Sequence, residues 1–398
     1  MNSNPLSDRI NNLSVSQTLA MAAKARELKA QGIDIISLSL GEPDFHTPDF
    51  IKEAAKRAID ENYSAYPPVD GYDELKKAIC LKFKRDNGLD YKPSNIVVST
   101  GAKQALYNIA QAMLNDGDEV ILPAPYWVSY SEIIRLSGGV PVEVPTSVDT
   151  DFKMTPIQLR AAITPKTKMM WFSSPCNPSG SVYNKEELTA LVEVLKEFPQ
   201  IYVVSDEIYE HINYSGTSCS IGAIDGMIDR TITVNGVAKA FAMTGWRIGY
   251  IGAPEFIAKA CTKLQGQVTS GANTIAQRAT ITALEAPPSM IKYMVDAFHK
   301  RRDLVMKLIK DIPGWKVNIP EGAFYAFPDV SDYFGKTLNG KLINDATDFS
   351  MYLLEKANVA TVTGDAFGNP NCIRLSYATS EEMLIEAFTR IKNSLKEA

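Results

Sequence analysis

From about residue 94 to 253 the chain alternates short β-branched runs with longer amphipathic ones, and this pattern constrains the fold more than any other feature. The short runs are Asn95-Ile-Val-Val-Ser, Glu119-Val-Ile-Leu, Lys168-Met-Met-Trp-Phe, Ile201-Tyr-Val-Val-Ser, Thr231-Ile-Thr-Val and Arg247-Ile-Gly-Tyr-Ile-Gly. Lys103 to Leu114 and Leu188 to Phe198 are helical stretches between them. Such alternation predicts an α/β fold with a mostly parallel sheet covered by helices on both faces. Sheets of this kind bind ligands at the carboxyl ends of their strands. The chemically unusual segments fall there: Ser99-Thr-Gly101-Ala-Lys103, Ser173-Ser-Pro-Cys-Asn177-Pro, Ser205-Asp206-Glu-Ile-Tyr209 and Asn235 to Lys239 each follow a predicted strand. One site assembled from several loops is implied.

The chain ends point to a second, smaller α/β unit. Residues 14 to 31 read as a helix, and a charged helix from Met290 to Lys310 stops before Pro313-Gly314. Trp315-Lys-Val, Gly322-Ala-Phe-Tyr-Ala-Phe and Cys372-Ile-Arg-Leu-Ser-Tyr read as strands, followed by a terminal helix from Ser380 to Lys396. Residues 331 to 345 are polar and Gly-bearing, and are expected to be a surface loop. With 398 residues, 45% of them hydrophobic, the chain can bury a large core in two or three domains.

A net charge of −5 with both signs interspersed provides no basic stripe for nucleic acid and no polybasic segment for a membrane. No run approaches the roughly 18 apolar residues that span a bilayer, and the amino terminus lacks the apolar core of a signal peptide. A cytoplasmic location is expected. Cys80, Cys176, Cys219, Cys261 and Cys372 are odd in number and scattered, so they read as reduced thiols, with neither a disulfide framework nor a metal site. His46, His211 and His299 are the only histidines, which disfavours mechanisms built on imidazole.

Lys239 lies between apolar neighbours in Val-Ala-Lys239-Ala-Phe. Burial would disfavour its ammonium form and make the amine a nucleophile near neutral pH; a lysine at the edge of a packed segment is the alternative. Arg247 follows eight residues later, so an aldehyde that also carries a phosphate would suit both groups. Gly101-Ala102-Lys103 opens a helix, where free N–H groups and the helix dipole favour a phosphate. Asp206 ends a very apolar strand, where a carboxylate needs a cation, and the protonated nitrogen of a pyridine ring is one. Glu207 points to the other face and reads as a structural partner. Tyr209 and Asn177 can reach a ring oxygen, and Trp127 can stack on a flat cofactor; packing and a bare turn are the alternatives for these. Arg374 sits in an apolar run and demands an anion, either a substrate carboxylate or an internal acid.

As an ordered set, these motifs resemble the pyridoxal-phosphate-dependent aminotransferases of the aspartate aminotransferase fold, fold type I. The likeness runs from Ser39-Leu-Gly41-Glu-Pro-Asp-Phe through Tyr66-Pro-Pro-Val-Asp-Gly71, Pro125-Tyr-Trp127-Val-Ser, Asn177-Pro and Ser205-Asp206-Glu-Ile-Tyr209 to Ala240-Phe-Ala-Met-Thr-Gly-Trp-Arg247 and Ile373-Arg374-Leu-Ser-Tyr-Ala-Thr. Within that family the chain is most similar to the bacterial type of aspartate aminotransferase that includes enzymes acting on prephenate. The resemblance implies that Lys239 binds the cofactor aldehyde and later carries the proton between substrate and cofactor. It implies that Asp206 faces the ring nitrogen, Asn177 and Tyr209 the ring oxygen, and Trp127 the ring face. Arg247 and the backbone at Gly101, Ala102 and Lys103 would hold the phosphate, and Arg374 with Gly41 the substrate α-carboxylate. Tyr66 would reach into the site of a second subunit, which makes a homodimer. Residues 49–290 would form the large domain, and residues 1–48 with 291–398 the small one.

Two departures accompany the likeness. Relatives often place hydroxyls where Gly236 and Ala238 stand, and an asparagine where Cys176 stands. Lys103 and Ser16 match residues that read the distal carboxylate of a dicarboxylic substrate, so aspartate and 2-oxoglutarate are the expected pair. An aromatic or prephenate aminotransferase is the alternative, followed by a lyase on the same fold. A transcription regulator would need a DNA-binding domain, for which the residues before the first helix are expected to leave no room.

Overall fold

The computed structural model describes residues 5–216 and 219–396. Seven strands form the central sheet: β1 Ile96–Ser99, β2 Glu119–Ala124, β3 Val140–Pro145, β4 Thr167–Ser173, β5 Tyr202–Asp206, β6 Thr231–Gly236 and β7 Gly249–Gly252. Their spatial order is β1-β7-β6-β5-β4-β2-β3, and β7 alone runs antiparallel to its neighbours. The mostly parallel sheet expected from the alternation is present, with helices on both faces as expected.

The strands read as continuous apolar runs because each face has its own cover. Successive side chains alternate between two cores: Val120 and Leu122 join one with Val204, whereas Ile121 joins the other with Val203. Helices Ala102–Met113, Ser129–Leu136 and Glu255–Val268 pack on the first core, and Pro156–Ala162 and Lys185–Lys196 on the second. Helix Lys185–Lys196 starts at a capping box in which Asn184 Oδ1 accepts from the Glu187 N–H and a Glu187 carboxylate oxygen accepts from the Asn184 N–H, both at 2.8 Å.

Two smaller sheets draw on the chain ends. Strand Ile36–Ser37 pairs in parallel with Val359–Ala360, while Val362–Thr363, Ile373–Ser376 and Tyr325–Ala326 form an antiparallel set. Helices Lys292–Lys310, Ala346–Lys356 and Glu381–Lys396 contribute buried faces to the same core. The amino-terminal helix runs Gln17–Ala30.

Two local expectations fail. Trp315-Lys-Val is no strand, because only Lys316 bridges to Asp329 and the Trp315 ring is buried beside Phe349 and Phe388. Residues 331–345 fold into a small antiparallel hairpin, Thr337–Leu338 with Lys341–Leu342, that buries Leu338 and Ile343. Its Asn339-Gly340 tip supplies the two left-handed residues a tight hairpin turn requires.

Candidate active site

A cavity of about 410 Å³ opens at the carboxyl ends of the parallel strands. β1 leads into Gly101, Ala102 and Lys103, β2 into Trp127, β4 into Asn177, β5 ends at Asp206 before Tyr209, and β6 leads into Lys239; all of these line the cavity. Arg247 joins them because β7 is antiparallel, so the residue just before its start lies at the edge where the parallel strands end. Gly41 and Arg374 complete the far wall from the smaller sheets.

Lys239 is partly buried, and its Nζ donates to the Gly41 carbonyl at 2.6 Å. Burial lowers its pKa from 10.5 to about 8; Glu42 opposes the shift, and Arg374 and Arg247 assist it. An amine is therefore available near neutral pH. Beside it, the Tyr209 ring centroid is 5.7 Å from Nζ.

Asp206 is raised to about 6 by burial, against the lowering effect of its hydrogen bonds. Tyr130 donates to Oδ2 at 2.7 Å, and the Ile208 N–H donates to Oδ1 at 3.2 Å. The Tyr209 hydroxyl shares a 2.7 Å hydrogen bond with Tyr325, and burial first, then Tyr325, holds its pKa well above the usual value. Glu207 turns away, as strand alternation predicts, and accepts from Ser205, Ser220 and Asn87.

Arg374 is only 2% exposed. Its Nη1 donates to Asn177 Oδ1 at 3.0 Å and its Nη2 to the Ser39 carbonyl at 2.6 Å. The guanidinium lies 4.7 Å from the Tyr325 ring centroid and 4.9 Å from that of Phe367, with Nε buried and, among the described residues, without a hydrogen-bond partner. An internal acid was one expectation for Arg374; its hydrogen bonds instead go to an amide and a carbonyl, both neutral. A substrate carboxylate fits the unmatched charge.

At the opposite end, Gly101 caps helix Ala102–Met113 with φ +85° and ψ 158°, and a Cβ there would strike the Arg247 guanidinium. Arg247 itself adopts φ +57°, an uncommon backbone for a non-glycine residue. Lys103 Nζ sits 4.8 Å from the Trp127 ring centroid, and burial, then Arg247, lowers its pKa. Two cations and a helix amino terminus thus converge on one end of the cavity.

Two candidates stand apart. Tyr66 is 95% exposed and lines no part of this cavity. Ser16 is the residue before helix Gln17–Ala30, with no capping hydrogen bond from its side chain among the described residues, and Thr18 and Leu19, not Ser16, reach the lining. Sequence reasoning missed Tyr130, Tyr325 and the Ser39 carbonyl. A buried tyrosine needs a partner for its hydroxyl, and that was the available signal for Tyr130, next to the Trp127 motif. The departures also acquire a setting. A Cβ on Gly236 would lie 3.0 Å from both Ile208 Cδ1 and the Ile248 carbonyl, so β6 is tightly packed there. Burial raises the Cys176 pKa, which keeps that thiol inert.

The donor set fits pyridoxal phosphate. It combines a deprotonatable amine, a buried carboxylate that among the described residues forms no ion pair, a tyrosine hydroxyl, an amide and a cationic cradle that only glycine at position 101 leaves open.

A family model described as aminotransferase class I and II matches residues 33–391. An aspartate/prephenate aminotransferase of Cereibacter sphaeroides is 50% identical over 390 residues, covering 97% of this chain and 98% of the relative. Among solved structures, the aspartate aminotransferase from Rhizobium meliloti has a TM-score of 0.95 at 44% identity, covering 98% of this chain and 99% of its own. The aspartate aminotransferase from Thermus thermophilus, solved with maleate, has 0.92 at 45% identity over the same shares of each chain. Fold, motif order and family match agree: the chain belongs to the class I and II aminotransferases and is a pyridoxal-phosphate-dependent enzyme of fold type I.

Proposed function

We propose that this chain is an aspartate aminotransferase, which moves the amino group of L-aspartate to 2-oxoglutarate and yields oxaloacetate and L-glutamate by a ping-pong mechanism. The observation that carries the reading is the charge layout of the cavity. Arg374, with its unpartnered Nε, faces Lys239 from one side, and Lys103 and Arg247 hold the other end. A substrate with two carboxylates and a cofactor with a phosphate match these cations. Relatives named for aspartate, and one solved with the dicarboxylate maleate, support the same choice.

Pyridoxal phosphate supplies an aldehyde for amines and a ring that withdraws electrons from the substrate α-carbon. Lys239 would anchor it through its amine, and that same amine, freed by an incoming substrate, would be the group that carries a proton at the substrate α-carbon. Asp206 would face the ring nitrogen and favour its protonated form, while Tyr209 and Asn177 would donate to the ring oxygen. Trp127 would offer its ring face for stacking. Arg247 and the N–H groups at the start of helix Ala102–Met113 hold the phosphate. Arg374, aided by the Gly41 backbone, would bind the α-carboxylate, and Lys103 would read the distal one; Ser16, given the same task by the resemblance, lies outside the cavity lining. The division into residues 49–290 and the two chain ends belongs to this reading, as does a homodimer in which the exposed Tyr66 enters the other subunit's cavity.

Prephenate as an amino acceptor is the second reading, favoured by the aspartate/prephenate name of the Cereibacter sphaeroides relative. A substrate-pair screen tests both. The cofactor absorbance is followed with aspartate, glutamate, phenylalanine and alanine as donors, then with prephenate as acceptor. Failure of aspartate to convert the cofactor would sink the main reading, and turnover with prephenate would establish the second.

A further inference from the structure

Behind the turn that follows β5, on the side away from the cavity, a group of polar side chains is buried together. Lys82 is 1% exposed, pairs with Glu210, and donates to Asn87 Oδ1 at 2.6 Å. The Asn87 amide nitrogen donates to two carboxylates, Glu207 Oε2 at 2.8 Å and Glu210 Oε2 at 2.6 Å. The other Glu207 oxygen accepts from Ser205 and Ser220 at 2.8 and 2.7 Å. A buried polar network is costly unless its members satisfy one another, and here ammonium, amide, carboxylates and hydroxyls do so.

Local backbone explains how they meet. Phe83–Asn87 is a π-helical turn closed by Gly88 at φ +68°, and its wider i→i+5 winding brings Lys82 and Asn87 onto one face. On the β5 side, Asp206 and Tyr209 line the cavity while Glu207 and Glu210 hold the other face of the same turn. The Glu210 N–H closes that turn on the Glu207 carbonyl at 2.9 Å. His211 next to it packs edge-on against Phe241, 6.3 Å between centroids, so the network also touches the segment that carries Lys239. Asp86, Glu210 and His211 have metal-ligand spacing. The cation among them is the Lys82 ammonium, paired with Glu210 and 3.9 Å from Asp86 Oδ2.

We propose that Asn87, clamped between Lys82 and the two carboxylates, is a positioning residue that fixes the Asp206–Tyr209 turn at the depth where those side chains meet the cofactor. The inference rests on the roles given above to Asp206 and Tyr209. Its physical basis is that displacements of about an ångström in the groups around a reacting centre cost large factors in rate.

Asn87→Leu keeps the γ-branched shape at a somewhat larger volume, removes both donated hydrogen bonds and the one accepted from Lys82, and leaves the carboxylates unbridged. Measured by quenching of tryptophan fluorescence, the dissociation constant for pyridoxal phosphate should rise at least about tenfold. The kcat should fall roughly ten- to a hundredfold while KM for the amino donor moves less than about threefold. Adding Glu207→Gln to that variant supplies an amide donor from the opposite side and should recover most of the cofactor affinity. Ser220→Ala removes a single hydroxyl and should shift the same constant by about two- to fivefold. A folded Asn87→Leu protein with cofactor affinity and kcat within twofold of wild type overturns the clamp. If that variant does not fold, Ser220→Ala decides, and an unchanged constant there overturns it. Wild-type protein that fails to take up pyridoxal phosphate would bring down the functional reading itself, a different outcome from equal uptake by wild type and variant.

Discussion

In the cofactor-free protein the Lys239 amine should titrate near pH 8 and not near 10.5. Burial is the main cause, Glu42 opposes it, and Arg374 and Arg247 add to it. At pH 7.5 a group with its midpoint at 8 is about one quarter unprotonated, against roughly 0.1% for a free lysine, so reactive amine is ~200-fold more abundant. The assay is the rate of covalent capture of pyridoxal phosphate by cyanoborohydride trapping, measured from pH 6 to 10 in wild type and in Lys239→Met. The Lys239-dependent rate should rise with a midpoint close to 8, and Glu42→Gln should lower that midpoint further. A midpoint at 10 or above would refute the argument from burial. Stability gives an independent check. The folded pKa of this lysine lies below its unfolded value, so the fold carries the full desolvation cost below about pH 8 and sheds it as pH rises toward 10.5. The cost is about 3 kcal/mol. Lys239→Met removes it, so the cofactor-free variant should melt roughly 2–4 °C higher than wild type at pH 7, with the gap narrowing by pH 10. Equal melting at both pH values would count against burial as the source.

Three further outcomes follow from the geometry. Tyr130→Phe deletes a hydrogen bond that lowers the Asp206 pKa, so that value should climb above about 6. A carboxyl whose folded pKa is raised costs stability above that pKa, so the variant should lose about 1.5–3 kcal/mol at pH 8 and only about 0.5–1.5 at pH 5; equal losses in melting experiments would contradict the pairing. Gly101→Ala must hold a side chain at φ +85° against the Arg247 guanidinium, which costs about 1–3 kcal/mol. Its affinity for pyridoxal phosphate, read by fluorescence, should drop at least about tenfold, and an unchanged affinity would place the phosphate elsewhere. Arg374→Lys keeps the charge and loses the two-pronged fork, so KM for aspartate should rise by about tenfold or more with far less change in cofactor affinity. Parallel changes in both would assign Arg374 to the cofactor.

Much of the architecture was legible because its determinants are local. β-branched runs between amphipathic stretches encode a sheet covered on both faces, and the residues just past β1, β4, β5 and β6 identified the cavity rim. Where a contact spans the chain, local pattern carried no trace of it. Tyr209 meets Tyr325 across 116 positions, Tyr130 meets Asp206 across 76, and Arg374 meets Ser39 across 335. The loop expected at 331–345 concealed a hairpin, since its two short strands bury too few side chains to leave a period-2 signature.

Sequence alone therefore determined which residues sit at strand ends, that Lys239 is an amine among apolar neighbours, and that Asp206 and Glu207 face opposite ways, because each follows from backbone periodicity. Tertiary structure decided what those residues meet. The antiparallel direction of β7 is the clearest case: in a parallel strand Arg247 would lie at the opposite edge of the sheet, far from the cavity. An apolar run has the same composition read in either direction, so the choice is made by its neighbours in the sheet and by the connection that delivers it. Pairing of the amino-terminal strand Ile36–Ser37 with Val359–Ala360 likewise anchors the segment that brings the Ser39 and Gly41 carbonyls to Arg374 and Lys239. The Lys239 pKa is the sum of those placements, for burial and distant charges act on the amine only after the chain has closed around it.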